Sequence, residues 1–507
     1  MVNLIHVGLE VNEEIVFWTL FLLSVLRKES HNMRFCKNIN FVLAKTYIQN
    51  FISKYVDHVA IMRSTLLPLQ ILLSIFSPTL RNRFKENAIW EKDYPEIRWA
   101  MSPDDKRECY QQFQDLSDPE FHRDLAGLSI DQKLIRLGYP VERINVTTED
   151  GYILGLYRIP FSPKSPLVEG VVRKPVILQH GLLSNGLCFL LQGDSKNLAM
   201  LLADSGFDVY LGNARGNSYS QGHINPDMTL DNWKYWDFSY HEMGIFDLPA
   251  IIETVTDITN QESMYFVGHS MGSTALAIML SERPEYNRRI KTAFLLAPAI
   301  FLGHSGLYVQ PFAKSVNYYQ YTFNKFLAGR IDVAKFPELL VGSFPSASCS
   351  TDKYACELCT NVMFRMFGYD GPQTNYTTVG HALDAFPVTT STKTLIHFMQ
   401  FIKTNNFCKF NYGFGAINRL RYGRRTPTCY NMDNISAPLL VFWGANDFVV
   451  KPQDVGKLVA HIPKKSLKEC IKIDSEYFTH IDFAFAKDAD ILVYKKILDV
   501  MLNSTYG

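Results

Sequence analysis

Gly268-His269-Ser270-Met271-Gly272 places a serine between two glycines, directly after the apolar run Met264–Val267 and just ahead of Thr274–Leu280, which reads as helix. At a strand-to-helix junction this spacing holds the serine on a sharp turn with its hydroxyl raised out of the sheet. The small flanking residues let the two backbones come close. The five-residue pattern alone is weak; the strand before it and the helix after it give it meaning. A hydroxyl is a poor nucleophile near neutral pH and needs a base, which in turn needs an acid to orient it. In a sheet of this kind the chain order is serine, acid, histidine.

Two histidines, His461 and His480, lie late enough in the chain. His461 falls in Val455–Ile462, a helical stretch, and reads as a surface or packed histidine. His480 follows the last strand in Tyr477-Phe-Thr-His480-Ile-Asp482, where a loop can present it over Ser270. For the acid, Asp447 ends Phe442-Trp-Gly-Ala-Asn-Asp447, immediately past a strand. Asp433 precedes that strand and so lies at its wrong end. Asp454 opens the next helix and reads as a cap. The candidate catalytic set is Ser270, Asp447 and His480. Acyl transfer also creates an oxyanion that wants two backbone N–H donors. One is expected from Met271, after the nucleophile. The other is expected from Leu182, in the loop Gln179-His180-Gly181-Leu182-Leu183, where Gly181 permits the turn. His180 reads as a structural histidine holding that loop.

These residues need a scaffold that delivers loops to one edge. From residue 128 onward the chain supplies it. Ile144–Pro160 reads as two strands around a Glu-Asp-Gly turn at 149–151. Short apolar runs follow at Pro175–Gln179, Phe207–Leu211, Met264–Val267, Thr292–Leu296, Pro438–Trp443 and Glu469–Ile473, with helical stretches between them. The alternation predicts an α/β fold with a central, mostly parallel sheet covered by helices on both faces. Ligands in such sheets bind beyond the carboxyl ends of the strands. Residues 301–430 interrupt the alternation with 24 Phe and Tyr in 130 positions and no obvious strand. An insertion leaving and re-entering at strand carboxyl ends sits over the site face, so it reads as a helical cap or lid. The core is expected as 128–300 and 431–507.

The chain of 507 residues has 51 Lys+Arg against 50 Asp+Glu, net charge +1, with 47% hydrophobic residues. This is globular composition, and the balance argues against a nucleic-acid partner. No uncharged apolar run reaches the roughly 18 residues that span a bilayer. Ile15–Leu26 has its charges on the wrong sides for a secretory signal. Met62-Arg63 followed by a run uncharged through Leu80 has the right order. Residues 62–80 are therefore expected to be a signal peptide, 1–61 an upstream extension, and 81–127 a linker or pro-segment; the alternative is that the Met62 run is a buried helix. Among the nine cysteines, Cys349, Cys356 and Cys359 cluster, and a disulfide there fits a secreted chain. Sequons at Asn145, Asn375, Asn434 and Asn503 are candidate glycosylation sites.

With these motifs in place the chain resembles the acid lipase family, the lysosomal acid lipase and gastric lipase type, and most resembles its invertebrate members. The stretches that carry the resemblance span about residues 128–500: Gly138–Glu142, Thr148–Leu154, Leu178–Leu183, Leu211–Asn217, Trp236–Met243, Gly268–Gly272, Gly444–Asp447 and His480–Phe483. The resemblance implies an α/β-hydrolase fold with an inserted helical cap and lid, and the site Ser270, Asp447, His480 with Leu182 and Met271 at the oxyanion hole. Met271 stands where many relatives have Gln, a change that leaves the backbone N–H intact. The 1–127 region has no match, and the cap matches loosely. The resemblance further implies hydrolysis of triacylglycerols or cholesteryl esters at a lipid–water interface, in lysosomes or outside the cell, with no metal or organic cofactor. The rival readings are a short-chain esterase on the same scaffold, an inactive lipase-like protein that binds or stores lipid, and an intracellular enzyme with unused sequons.

Overall fold

The computed structural model describes residues 101–114 and 127–506, apart from 193–195, 505 and most positions between 307 and 387. The expectations for residues 1–80 and for the cluster Cys349, Cys356 and Cys359 fall outside the described residues. Within the stretch read as a linker, Pro103–Gln114 forms a helix, α1.

The strands are β1 Glu142–Thr147, β2 Tyr152–Ile159, β3 Pro175–Gln179, β4 Asp208–Gly212, β5 Gly222–His223, β6 Met264–His269, β7 Ile290–Leu296, β8 Arg330–Ile331, β9 Thr390–Ser391, β10 Leu439–Trp443 and β11 Leu467–Lys472. One sheet runs β1-β2-β4-β3-β6-β7-β10-β11, with β5 added to β2. From β4 to β11 all neighbours are parallel, whereas β1, β2 and β5 pair antiparallel. The α/β fold with a mostly parallel sheet is as the alternation predicts. β3, β4 and β6 are buried at every position. β11 differs: its residues alternate between half-buried and exposed, because it is the edge strand and Lys468, Glu469 and Lys472 occupy it.

Alternate side chains of the central strands enter opposite cores, as the two-residue period requires. Ile177, Tyr210, Phe266, Leu295 and Val441 meet α4 (Leu248–Thr259) and α5 (Met271–Glu282) on one face. Val176, Leu178, Leu211, Val267, Phe294 and Phe442 meet α3 (Leu198–Asp204) and α9 (Lys495–Asn503) on the other. Helix α2 (Ile130–Arg136) and helix α8 (Pro452–His461) complete the two layers.

In the insertion, the described residues form α6 (Thr392–Thr404), α7 (Gly415–Tyr422) and the small antiparallel pair β8–β9. That pair is too short for a run of apolar residues to announce it. A disulfide joins Cys408 to Cys429.

Candidate active site

Register aligns the strand ends that matter. Gln179 of β3 lies opposite Gly268 of β6, and Leu296 of β7 opposite Phe442 of β10, so the loops after these strands emerge side by side. Ser270 sits between β6 and α5 with φ 52° and ψ −112°. A non-glycine residue in such a conformation carries about 1–3 kcal/mol of strain and needs surrounding structure to hold it. The Ser270 N–H donates to the Leu296 carbonyl at 2.8 Å, and the Ser273 hydroxyl donates to the Gly268 carbonyl at 2.6 Å. A Cβ on Gly272 would overlap the Gln179 carbonyl, and one on Gly268 would come within 2.8 Å of the Ser273 nitrogen. Both glycines are therefore required by close approach.

The loops after β10 and β11 are packed together in the same way. A Cβ on Gly444 would overlap the Phe478 carbonyl oxygen, which accepts the Asn446 N–H at 3.1 Å. This brings His480 to Asp447. The His480 Nε2 lies 2.8 Å from Ser270 Oγ, and its Nδ1 lies 2.9 Å from Asp447 Oδ2. The other oxygen, Asp447 Oδ1, accepts the N–H groups of Val449 and Val450 at 2.7 and 2.8 Å. All three side chains are buried. Because a carboxylate faces Nδ1, that nitrogen carries the proton and Nε2 is free to accept one from the serine.

Met271 opens α5, where the first N–H groups lack intrahelical partners. On the other side of Ser270, a Cβ on Gly181 would stand 3.1 Å from Ser270 Cβ, which fixes how closely the 180–183 loop approaches. The next two residues are Leu182 and Leu183; Leu183 has φ 56°, and its carbonyl accepts the Val388 N–H from the returning cap at 2.8 Å. His180 braces this loop. Its Nδ1–H donates to the Gly181 carbonyl at 2.8 Å, and its Nε2 accepts from the Ala214 N–H at 3.0 Å and the Asn217 amide at 3.1 Å. Burial holds its pKa down to about 4, so the ring is neutral, as a structural histidine should be.

The remaining residues weighed for the site lie apart from this line. His461 is exposed, its Nδ1 on the Lys457 carbonyl. Asp433 is exposed in the turn before β10. Asp454 is buried in the first turn of α8 and, rather than capping that helix, accepts from the His304 N–H and ring.

Three further features do not stand out in sequence. The His269 ring, beside the serine, donates Nε2–H to the His480 carbonyl at 2.8 Å; burial and then the neighbouring His480 lower its pKa to about 3. Phe367 from the cap stacks on His480 at 6.2 Å with an interplanar angle of 12°. Arg215 lies fully buried between Asp247 and Asp150, 4.0 Å above the Tyr152 ring, and secures the loop that includes Ala214 and Asn217.

A strained serine with a histidine and an aspartate in line can perform acyl transfer. Comparison with known sequences decides the family. Residues 174–484 match the model of the alpha/beta hydrolase fold, and residues 130–193 match a partial alpha/beta-hydrolase lipase region. The chain is 36% identical over 373 residues to Lipase 3 of Drosophila melanogaster, covering 72% of this chain and 90% of that relative. It is 32% identical to gastric triacylglycerol lipase of Rattus norvegicus, covering 74% and 92%. It belongs to the acid and gastric lipase family. Lipase member K of Homo sapiens is another relative at 33% identity, with 74% and 91% covered. As an acid lipase family member, the chain is an α/β hydrolase of the carboxylic-ester class. Among the described residues no helix is long and apolar enough to cross a membrane.

Proposed function

We propose that the chain cleaves fatty-acyl esters, triacylglycerol or cholesteryl ester, through an acyl-enzyme on Ser270. The observation that carries this reading is the hydrogen-bonded line Ser270 Oγ–His480 Nε2, His480 Nδ1–Asp447 Oδ2, at 2.8 and 2.9 Å. His480 takes the serine proton as Oγ bonds to the ester carbonyl carbon. The Leu182 and Met271 N–H groups hold the resulting oxyanion. The tetrahedral adduct collapses, the carbon–alkoxy bond breaks, and His480 gives its proton to the departing alcohol. Water, activated by the same imidazole, then releases the fatty acid. Asp447 keeps the ring in the required tautomer and stabilises its charged form.

The aromatic insertion is the proposed acyl-chain surface, meeting substrate at a lipid–water interface. A lysosomal or extracellular location suits such substrates, with Met62–Leu80 as the address. Asn145, Asn434 and Asn503 are exposed and Asn375 is half-buried, so the first three are the better glycan acceptors. Hydrolysis of emulsified triolein, cholesteryl oleate and tributyrin by wild type and Ser270→Ala tests the reading. Long-chain turnover that disappears in the variant supports it. Turnover of tributyrin alone points to a short-chain esterase, and lipid bound without turnover points to a storage protein.

A further inference from the structure

Two carboxyl groups that acyl transfer does not use meet beside the base. Asp482 lies two residues after His480 and is buried. Its Oδ2 accepts both the Thr479 N–H, at 2.5 Å, and the Thr479 hydroxyl, at 2.6 Å, which closes the turn presenting His480. Asp370 comes from the inserted cap and is 1% exposed. Its Oδ1 accepts the Gln373 N–H at 3.2 Å. Its Oδ2 is buried, and among the described residues no N–H or O–H reaches it. The Asp482 carboxyl is its charged neighbour, and the two line one small cavity with Phe364, Thr374 and Phe485.

Two ionised carboxylates cannot share such a place, whereas one proton between them turns the repulsion into a hydrogen bond. Asp482 already receives two donors and is the better carboxylate. Asp370, with no donor at Oδ2, is the better acid. Lys487 is the neighbouring cation, and its Nζ pairs with Glu108 of α1. Asp105 of α1 lies against Gly371 and takes the Tyr369 hydroxyl and the Ser102 N–H. Asp447 acts on Asp482 from beyond His480.

The cap segment that carries Asp370 lies on both loops of the site. The Phe367 ring stacks on His480, and its carbonyl accepts the Phe448 N–H at 3.1 Å. The Tyr369 carbonyl accepts the Asn446 side-chain amide at 2.8 Å. Gly368, at φ 114°, packs so closely on the Asn446 carbonyl that no Cβ would fit.

We propose that Asp370 is a positioning residue: it holds a proton, donates it in a hydrogen bond to Asp482, and so latches the cap onto the loop that presents His480, a latch that opens when Asp370 ionises. This rests on His480 being the base. Burial, and then the Asp482 charge, raise the Asp370 pKa to about 9, so the latch is closed at neutral and acidic pH.

The test is the pH profile of kcat on an emulsified long-chain ester for wild type, Asp370→Asn and Asp370→Ala, with Ser270→Ala beside them. Asparagine keeps a permanent donor toward Asp482. The Asn variant should retain the neutral-pH rate to within about threefold and lose the wild-type decline near pH 9, and Ala should lose about tenfold or more at every pH. Infrared spectra of the wild type should show a protonated-carboxyl band at pH 7 that is missing in Asp370→Asn, a readout that does not depend on the Ala variant folding. An unchanged alkaline decline in the Asn variant, or no such band in the wild type, overturns the proposal. Undiminished turnover by Ser270→Ala would instead overturn the reading on which it rests.

Discussion

The carbonyl of His480 accepts a hydrogen bond from the His269 ring at 2.8 Å, so the residue before the nucleophile holds the main chain of the proposed base. The elbow that presents Ser270 and the loop that presents His480 are thereby joined by one strut. A glutamine at 269 retains an N–H donor of similar reach, whereas alanine removes it. His269→Ala should lower kcat by about 10- to 100-fold with KM little changed, since misplacement near 1 Å has effects of that order. His269→Gln should recover most of the loss. Steady-state kinetics of the two variants on one ester check this.

Asp447 accepts two backbone N–H groups and, in the proposed mechanism, orients His480, and one substitution separates these. Asn in its place can still accept the Val449 and Val450 N–H groups, so the loop should keep its shape. It cannot serve the imidazole as a carboxylate does. Asp447→Asn should therefore melt within a few degrees of wild type while kcat falls by about 10⁴-fold. Calorimetry and single-turnover rates on the same sample make the comparison.

Gly272→Ala should fail for a reason unrelated to chemistry. The new methyl overlaps the Gln179 carbonyl, on the strand that leads to the Leu182 loop. Overpacking of this kind costs about 1–3 kcal/mol or more. Urea denaturation should show the loss, and any folded fraction should have a displaced 180–183 loop and reduced kcat.

Arg215 is the counter-charge for the buried Asp247 and the half-buried Asp150. Arg215→Met leaves Asp247 and Asp150 without it, and removing one member of a buried ion pair costs about 3–5 kcal/mol. Chemical denaturation should register that loss. Activity should fall with it, because the same loop braces His180.

Acid should weaken the fold through His397. This ring is buried, stacked on Tyr240 at 4.2 Å, with Nε2 on the Cys408 carbonyl and Nδ1 near Ser239 Oγ. Burial lowers its pKa to about 3. Between about 6.5, the unfolded value, and 3 the unfolded chain binds a proton that the folded chain refuses. Stability from this group is therefore complete above 6.5 and falls with acidification, by up to about 1.4 kcal/mol per pH unit. The melting-temperature advantage of wild type over His397→Gln should shrink as pH drops from 7 to 4; a constant difference contradicts the assignment.

Much of this architecture can be read from sequence for a physical reason. Strands buried on both faces, such as Pro175–Gln179 and Met264–His269, are short apolar runs bounded by turn residues, and in a parallel sheet the chemistry follows them. Hence Ser270, Asp447 and His480 could be chosen from strand ends before any distance was known. The cap was less legible, because its phenylalanines and tyrosines fit core and pocket alike and β8–β9 is two residues long on each side. Spacing does not specify cysteine pairing, so Cys408–Cys429 was not anticipated. Asp370 and Asp482 are far apart in the chain, and only folding brings them together; nothing local marks either as an acid.

The most direct measurement is covalent capture. A long-chain alkyl phosphonate ester, which mimics the tetrahedral adduct, is incubated with the folded protein, and the site of labelling is mapped by peptide mass spectrometry alongside loss of ester hydrolysis. The account predicts one label per chain, on Ser270, with activity lost in proportion and no labelling of Ser270→Ala or His480→Ala. Ester hydrolysis that persists with Ser270 fully labelled, or a label on another residue that tracks the loss, would contradict it.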